Sequence, residues 1–166
     1  TCAPLRSTWP PSIEAMPVLA NARSLVAALS VLLMGAPPNS CKFVSVAEVT
    51  ELIGKTVGGG QQSFVDNPKS LTSSCAYTLA NRPTVLVSVA DYPSAAEAKQ
   101  EFTRQLQNSS DNKTETGIGD GAFWTTVVAQ SITAVHGQRL ATIAFLGDTP
   151  AVHERLHALM VKALSR

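Results

Sequence analysis

Ser131–Leu146 reads SITAVHGQRLATIAFL. Two runs rich in β-branched and apolar residues, Ser131 to His136 and Arg139 to Leu146, flank the pair Gly137-Gln138. A two-residue connection with glycine first is the type II′ pattern, whose backbone twist matches that of paired strands. The stretch therefore predicts a β-hairpin, and a hairpin commits its neighbourhood to antiparallel pairing. Upstream, Thr84 to Tyr92 (TVLVSVADY), Cys75 to Leu79 (CAYTL) and Ala122 to Ala129 also read as strands, with Lys55–Val57 as a short addition.

Three helices are expected around these strands. Ser45 and Glu48 form an S-x-x-E capping box, Val46, Val49, Leu52 and Ile53 share one face, and Gly54 can close the helix in the left-handed conformation. Ser94 and Glu97 repeat the box ahead of a stripe of Ala95, Ala98, Phe102 and Leu106. Thr149 and Pro150 suit the first positions of a helix to Leu164, with Val152, Leu156, Leu159, Met160 and Ala163 inward. The segments 58–72 and 107–116 are polar and rich in Gly or Asn, and read as loops. The expected fold is α+β: a mainly antiparallel sheet of about five or six strands with three helices packed on it, an α/β sandwich with one disulfide. Each half looks like a capped helix followed by a meander.

The N-terminal region reads differently. Ser24–Ala36 (SLVAALSVLLMGA) is uncharged and mostly apolar, and Arg23 precedes it. A membrane span needs about 20 such residues, so this run fits the apolar core of a secretory signal. Met16 stands where an initiator belongs. The expected organisation is an upstream extension at 1–15, a signal peptide at 16–36 and a single domain at 37–166. The structural alternative for the apolar run is a buried helix. Without residues 1–36, which hold Arg6, Arg23 and Glu14, the chain keeps 11 basic and 11 acidic side chains. That balance, with no Lys/Arg cluster, gives no electrostatic basis for holding nucleic acid.

The expected domain keeps two cysteines, Cys41 and Cys75, which suits a disulfide in an oxidising compartment. A lipidated Cys41 and two free thiols are the alternatives. Pro38-Asn39-Ser40 is a poor lipobox, and a lipid on Cys41 would leave Cys75 unpaired.

Cys41-Lys-Phe-Val-Ser-Val-Ala-Glu-Val, Leu52-Ile53-Gly54 and Cys75-Ala-Tyr77 together resemble a group of exported bacterial lipoprotein-like domains of unknown function. Their pattern is a Cys, a short S/T-x-x-E-V helix ending in Leu-Gly, and a later Cys-x-Tyr strand. The likeness continues through Ser94-Ala-Ala-Glu97-Ala98 and Gly117-Ile-Gly119-Asp120-Gly-Ala122-Phe-Trp124, and spans most of 41–146. It implies a small α/β sandwich used as a periplasmic or cell-surface accessory module. Two departures are the poor lipobox, which bears on membrane anchoring, and Ser-Val-Ala-Glu where the group often has Leu-Thr-x-x-Glu.

Among chemical motifs the sharpest is His153-Glu154-Arg155-Leu156-His157, an H-E-x-x-H match on an expected helix. Two His at i and i+4 can both ligate zinc, with Glu154 as general base. The nine residues after His157 in this sequence include no His, Asp or Glu as third ligand. Asp91 or Asp148 would have to fold onto the pair. Otherwise the two rings are half-exposed flank residues.

Gly54-Lys55-Thr56 resembles the end of a P-loop, but Val49 occupies the required first glycine, and a helix precedes it where a strand belongs. Gly117-x-Gly119-x-Gly121 lacks the strand-to-helix context of a dinucleotide turn and reads as a tight turn into the Phe123-Trp124 strand. No G-x-S-x-G is present.

In a strand Phe123 and Trp124 point to opposite faces, so one of them is a candidate exposed contact; the alternative is that helices or loops cover both. The expected binding surface is the turn 117–124, with Asp120, Phe123 and Trp124, joined by the 58–72 loop. The leading expectation is an exported, non-enzymatic accessory or binding module, periplasmic or secreted. It implies no cofactor, and its partner is an envelope protein or small ligand. It touches membrane only through an uncleaved signal or a lipid at Cys41. The alternative is a small zinc-dependent hydrolase using residues 153–157.

Overall fold

The computed structural model describes residues 35–108, 110–147 and 152–166. The expectations placed on residues 1–34, on Asp148 and on the Thr149-Pro150 helix start lie outside these. In chain order the elements are α1 (Ser40–Phe43), α2 (Val46–Ile53), β1 (Gln61–Val65), β2 (Leu71–Leu79), β3 (Arg82–Asp91), α3 (Ala95–Gln107), β4 (Lys113–Glu115), β5 (Gly121–Thr125), β6 (Gln130–His136), β7 (Arg139–Phe145) and α4 (Val152–Leu164). The strands form one sheet ordered β1-β2-β3-β7-β6-β5-β4. All neighbours are antiparallel. Two capped-helix-plus-meander halves meet where their last strands, β3 and β7, pair at the centre.

The α+β class and antiparallel sheet match expectation, but the counts differ: among the described residues seven strands and four helices stand where five or six and three were expected. The two extra strands, β1 and β4, lie inside the segments read as loops. Both are edges whose side chains are largely exposed, so nothing demands an apolar alternation. Helix α1 has four residues, too few for a helical period to register. Lys55–Val57 is not a strand. Val57 is buried in the core instead, and the next residue, Gly58, donates its N–H to the Thr78 carbonyl at 2.8 Å.

The turn chemistry follows the residues. Gly137 takes φ +55° between the paired residues His136 and Arg139. At the β2–β3 hairpin Ala80 and Asn81 both have positive φ, the type I′ geometry, without a glycine to announce it. The Ser45–Glu48 box closes in both directions, at 2.8 and 3.3 Å. At Ser94 the hydroxyl accepts from the Glu97 N–H at 3.2 Å.

Helices cover both faces. Alternate residues Val85, Val87 and Val89 of β3, with Ala141, Ile143 and Phe145 of β7, face α1, α2 and α4 in the larger core. The intervening positions Ala90, Leu140 and Val135, with Phe123, pack on Ala98, Phe102 and Leu106 of α3.

Three successive inward residues of β2 hold the segment before α2. Ser73 Oγ donates to the Pro38 carbonyl at 2.6 Å and accepts from the Ser40 N–H at 3.2 Å. Cys75 forms the expected disulfide with Cys41, at a Cα separation of 5.1 Å. The fully buried Tyr77 donates its hydroxyl to the carbonyls of Val44 and Cys41. A thioether lipid needs the same Cys41 sulfur, so the disulfide excludes it. A cross-link over 34 residues stabilises the fold by about 3–4 kcal/mol in the chain-entropy treatment.

Gly60 lies against this stitch. A Cβ there would stand 2.3 Å from Cys75 Sγ, 2.9 Å from Tyr77 Cε1 and 3.1 Å from Cys41 Sγ, whereas at Gly59 nothing lies within 4 Å. Gly60→Ala is expected to cost about 1–3 kcal/mol through overpacking. Gly59→Ala is expected to be neutral or slightly stabilising. Urea denaturation of the two variants side by side checks both.

Candidate functional site

Three neighbouring strands change character at the same level of the larger core face. Along β3 the inward residues run Val85, Val87, Val89 and then Asp91. Along β7 they run Phe145, Ile143, Ala141 and then Arg139, and along β6 Ile132, Ala134 and then His136. The register sets Asp91 opposite Arg139 and Arg139 opposite His136, so the switch from apolar to charged falls in one row. Beyond His136, the Asp120 carboxylate approaches Nδ1 at 3.7 Å. Helical cover ends here, and water is available to the charges.

An open cleft of about 970 Å³ lies over this row. Leu71 and Val89 give it an apolar floor, Phe43 and Leu164 apolar walls, and Lys42, Arg139 and Arg166 permanent cations. Gly35 and Ala36 lie on its rim. Arg139 is held in place by Asp91 through two parallel bonds, Nε to Oδ1 at 2.7 Å and Nη2 to Oδ2 at 2.8 Å. The hydrogen bonds that Arg139 donates to Asp91 raise its pKa, so the guanidinium stays charged. Lys42 makes no ion pair among the described residues. Among the described residues no Ser, Thr or Cys lines the cleft, and its Asp91 carboxylate is engaged by Arg139. Such a site can hold a ligand. A smaller groove of about 420 Å³ between α2 and α4 is lined by Glu51, Arg155 and Lys162, among others.

Glu48 fixes the far wall. Its carboxylate, 8% exposed, accepts from the Ser45 N–H and hydroxyl, binds Lys162 Nζ at 2.9 Å and pairs with Arg166. Burial alone would raise its pKa. The Ser45 backbone bond and the bonds from Lys162, Arg166 and the Ser45 hydroxyl outweigh burial and hold it at about 2. Arg166 also donates to the Phe43 carbonyl at 3.3 Å, joining the end of α4 to the end of α1.

The residues singled out from sequence are mostly used within the fold. Phe123 and Trp124 do face opposite layers, but both are buried, at 4% and 9%, so neither offers an exposed aromatic. Phe123 packs on Phe102 of α3 with centroids 5.5 Å apart, and Trp124 meets the His153 ring at 4.5 Å. Asp120 accepts from the Gly137 N–H at 2.6 Å and so braces the β6–β7 turn.

The 117–124 turn cannot share a surface with the 58–72 loop. Strands β1 and β5 stand five sheet positions apart, roughly 24 Å at ordinary strand spacing. Gly117 and Gly119 take positive φ, as a tight turn requires, and a Cβ on Gly119 would stand 2.4 Å from the Val135 carbonyl oxygen. Ile118 between them is buried in the larger core.

The H-E-x-x-H pair docks α4 onto the β4 edge. His153 Nε2 bonds Glu115 Oε1 at 2.8 Å, and His157 Nε2 bonds the Thr116 carbonyl at 3.2 Å. Glu154 is exposed, and Asp91 belongs to the cleft row. Among the described residues no group of three His, Cys, Asp or Glu is placed to hold a metal ion. In this arrangement the Nε2 atoms of both rings are turned to protein partners.

No protein-family model matches the chain. No curated protein matches it. Among solved structures it is similar to the extracellular domain of PknH from Mycobacterium tuberculosis, with 11% identity, 80% of this chain and 100% of that chain covered, and a TM-score of 0.42.

The depressed Glu48 pKa fixes the sign of an acid effect. A carboxyl whose folded pKa lies near 2, against an ordinary 4.5, contributes stability that is fully present above about 4.5 and lost as pH falls toward 2. Glu48→Gln is expected to lower stability at pH 7 by roughly 2–3 kcal/mol and to flatten the decline between pH 5 and about 2. Urea midpoints of wild type and variant across that range check it.

Proposed function

We propose that this chain is an exported, non-enzymatic binding module of the bacterial envelope, and that the cleft over the Asp91–Arg139–His136 row is its ligand seat. The observation that carries the reading is the cleft's lining: cationic heads from Lys42, Arg139 and Arg166 above a floor of Leu71 and Val89. A ligand that carries a carboxylate or phosphate beside an apolar group fits those two requirements. It is either a small molecule or the exposed end of an envelope protein. Nucleic acid is a poor match for a domain with balanced charge.

Export is supported by two features. A buried disulfide in the main core calls for an oxidising compartment. The run 24–36, behind Arg23, has the length and polarity of a secretory signal. The resemblance of Cys41–Trp124 to exported lipoprotein-like domains agrees with this, with the disulfide in place of the lipid. Among the described residues no helix is long and apolar enough to cross a membrane.

Two measurements test the reading. Intact mass of the chain recovered from an exporting bacterial host is expected to lack the N-terminal segment and to gain one pair of hydrogens on reduction. A full-length, fully reduced cytosolic product overturns export. Separately, amide shifts of labelled protein titrated with medium-chain fatty acids and alkyl phosphates are expected to move at Lys42, Leu71, Val89 and Arg139. Lys42→Glu is expected to weaken the binding about tenfold. Shifts confined to the 117–124 turn, or none, overturn the cleft as the seat.

A further inference from the structure

The two edges of the sheet are treated differently. At one end β4 has three residues, two of them charged, Lys113 and Glu115. Glu115 and the adjoining Thr116 are further engaged by His153 and His157 of α4. Short length, charge and a covering element are the ordinary means by which a native sheet prevents edge-to-edge pairing. At the other end β1 (QQSFV) has none of them. It carries no charge and no proline, pairs with β2 over all five residues without a register shift, and leaves Phe64 64% and Val65 47% exposed. Gln62 Nε2 donates to the Pro38 carbonyl at 3.4 Å from the strand's face, and among the described residues no strand pairs with its outer backbone edge.

We infer that β1 pairs with β1 of a second copy of this chain, antiparallel about Ser63. A two-fold pairing sets each strand against its own reverse, so like charges on the strand would oppose one another unless they alternate in sign. About Ser63 the opposed pairs are Gln61 with Val65, Gln62 with Phe64, and Ser63 with itself, all uncharged. The Phe64 ring then lies beside the aliphatic stem of the partner's Gln62 on one sheet face. The first charge beyond the strand, Asp66, falls opposite the partner's Gly60, which presents no side chain. The neighbouring positions on the face away from α1 and α4 are Ser63, Val65, Thr72, Ser74 and Ala76, also uncharged, so the sheet continues across the seam without a charged side chain against its copy. The strand is about 17 Å long, and its seam is smaller than the roughly 1,600 Å² of a standard interface. Association is therefore reversible, with a dissociation constant in the micromolar to sub-millimolar range.

Sedimentation velocity of the oxidised chain, expressed in full, from about 1 μM to about 1 mM tests this. Wild type is expected to pass from monomer to dimer across the range. Phe64→Lys and, separately, Ser63→Lys are each expected to raise the midpoint concentration at least about tenfold, with unchanged circular dichroism and melting temperature. Hydrogen exchange gives a readout without any variant: β1 amides of wild type are expected to slow as concentration rises. A wild type that stays monomeric throughout overturns the inference, including the case where another protein's strand fills the edge. So does a dimer that both folded variants retain, an open-ended oligomer, or β1 exchange that ignores concentration.

Discussion

The segment from Pro38 to Val44 has little regular structure of its own, since α1 is a single turn. Its position is set by the inward side chains of β2: a hydroxyl at Ser73, a covalent bond at Cys75 and a phenol at Tyr77. Period-two alternation makes this possible, because residues i, i+2 and i+4 of one strand reach the same layer. The Ser73 and Tyr77 hydroxyls satisfy backbone groups of this segment that burial would otherwise leave unpaired. The buried Ser40 hydroxyl escapes this, with no hydrogen-bond partner among the described residues. With this segment fixed, Phe43 and Val44 join the core and Ser45 starts α2 in a defined place.

The other wall of the cleft is fixed electrostatically. Glu48 completes the N-terminal cap of α2 and receives two cations from the last turns of the chain, Lys162 and Arg166. An isolated buried carboxylate would be costly, and removing one partner from such a group usually costs more than the pair contributes. Here the carboxylate is shared among backbone, hydroxyl, ammonium and guanidinium, which explains why it stays ionised while almost fully covered. Both walls are thus anchored by contacts within the protein, including those of the cleft-lining Pro38 and Arg166. A ligand entering between them would order little protein, which favours binding by lowering its entropic cost.

Much of the fold was legible because it is written locally. The 131–146 hairpin, the Ser45 box with its Gly54 cap and the disulfide each rest on residues whose chemistry admits few alternatives. The missed elements lack such signals: β1 and β4 are edges without an apolar face, and the β2–β3 turn uses Ala80-Asn81 rather than Asn-Gly or Gly-X. The site was less legible for a different reason. Asp91 and Arg139 are 48 residues apart and meet only because β3 pairs with β7, a long-range choice that no local pattern specifies. A partial signal did exist in the break from Val85, Val87 and Val89 to Asp91, one face of one strand turning from apolar to charged. The H-E-x-x-H match was ambiguous because i, i+4 spacing serves equally well to dock two rings on a strand edge, which is how His153 and His157 are placed.

The burial of Phe123 and Trp124 has a wider consequence for where this molecule can bind anything. In a sheet covered on one side only, an aromatic pair on a strand leaves one ring in water. Here helices lie on both sides, so β5 contributes one aromatic to each layer, Phe123 to α3 and Trp124 to α4. Each ring thereby contributes packing area to a core instead of contact area to a ligand. Recognition is displaced to where the helical layers stop: the strand ends, where the Asp91–Arg139–His136 row meets solvent, and the outer edge at β1. Charge sorts these two places. On the function proposed above, the cations lining the cleft at the strand ends select an anionic, amphipathic ligand, whereas the uncharged β1 edge, on the inference drawn above, selects by backbone hydrogen bonding. The two places offer different chemistry to a partner.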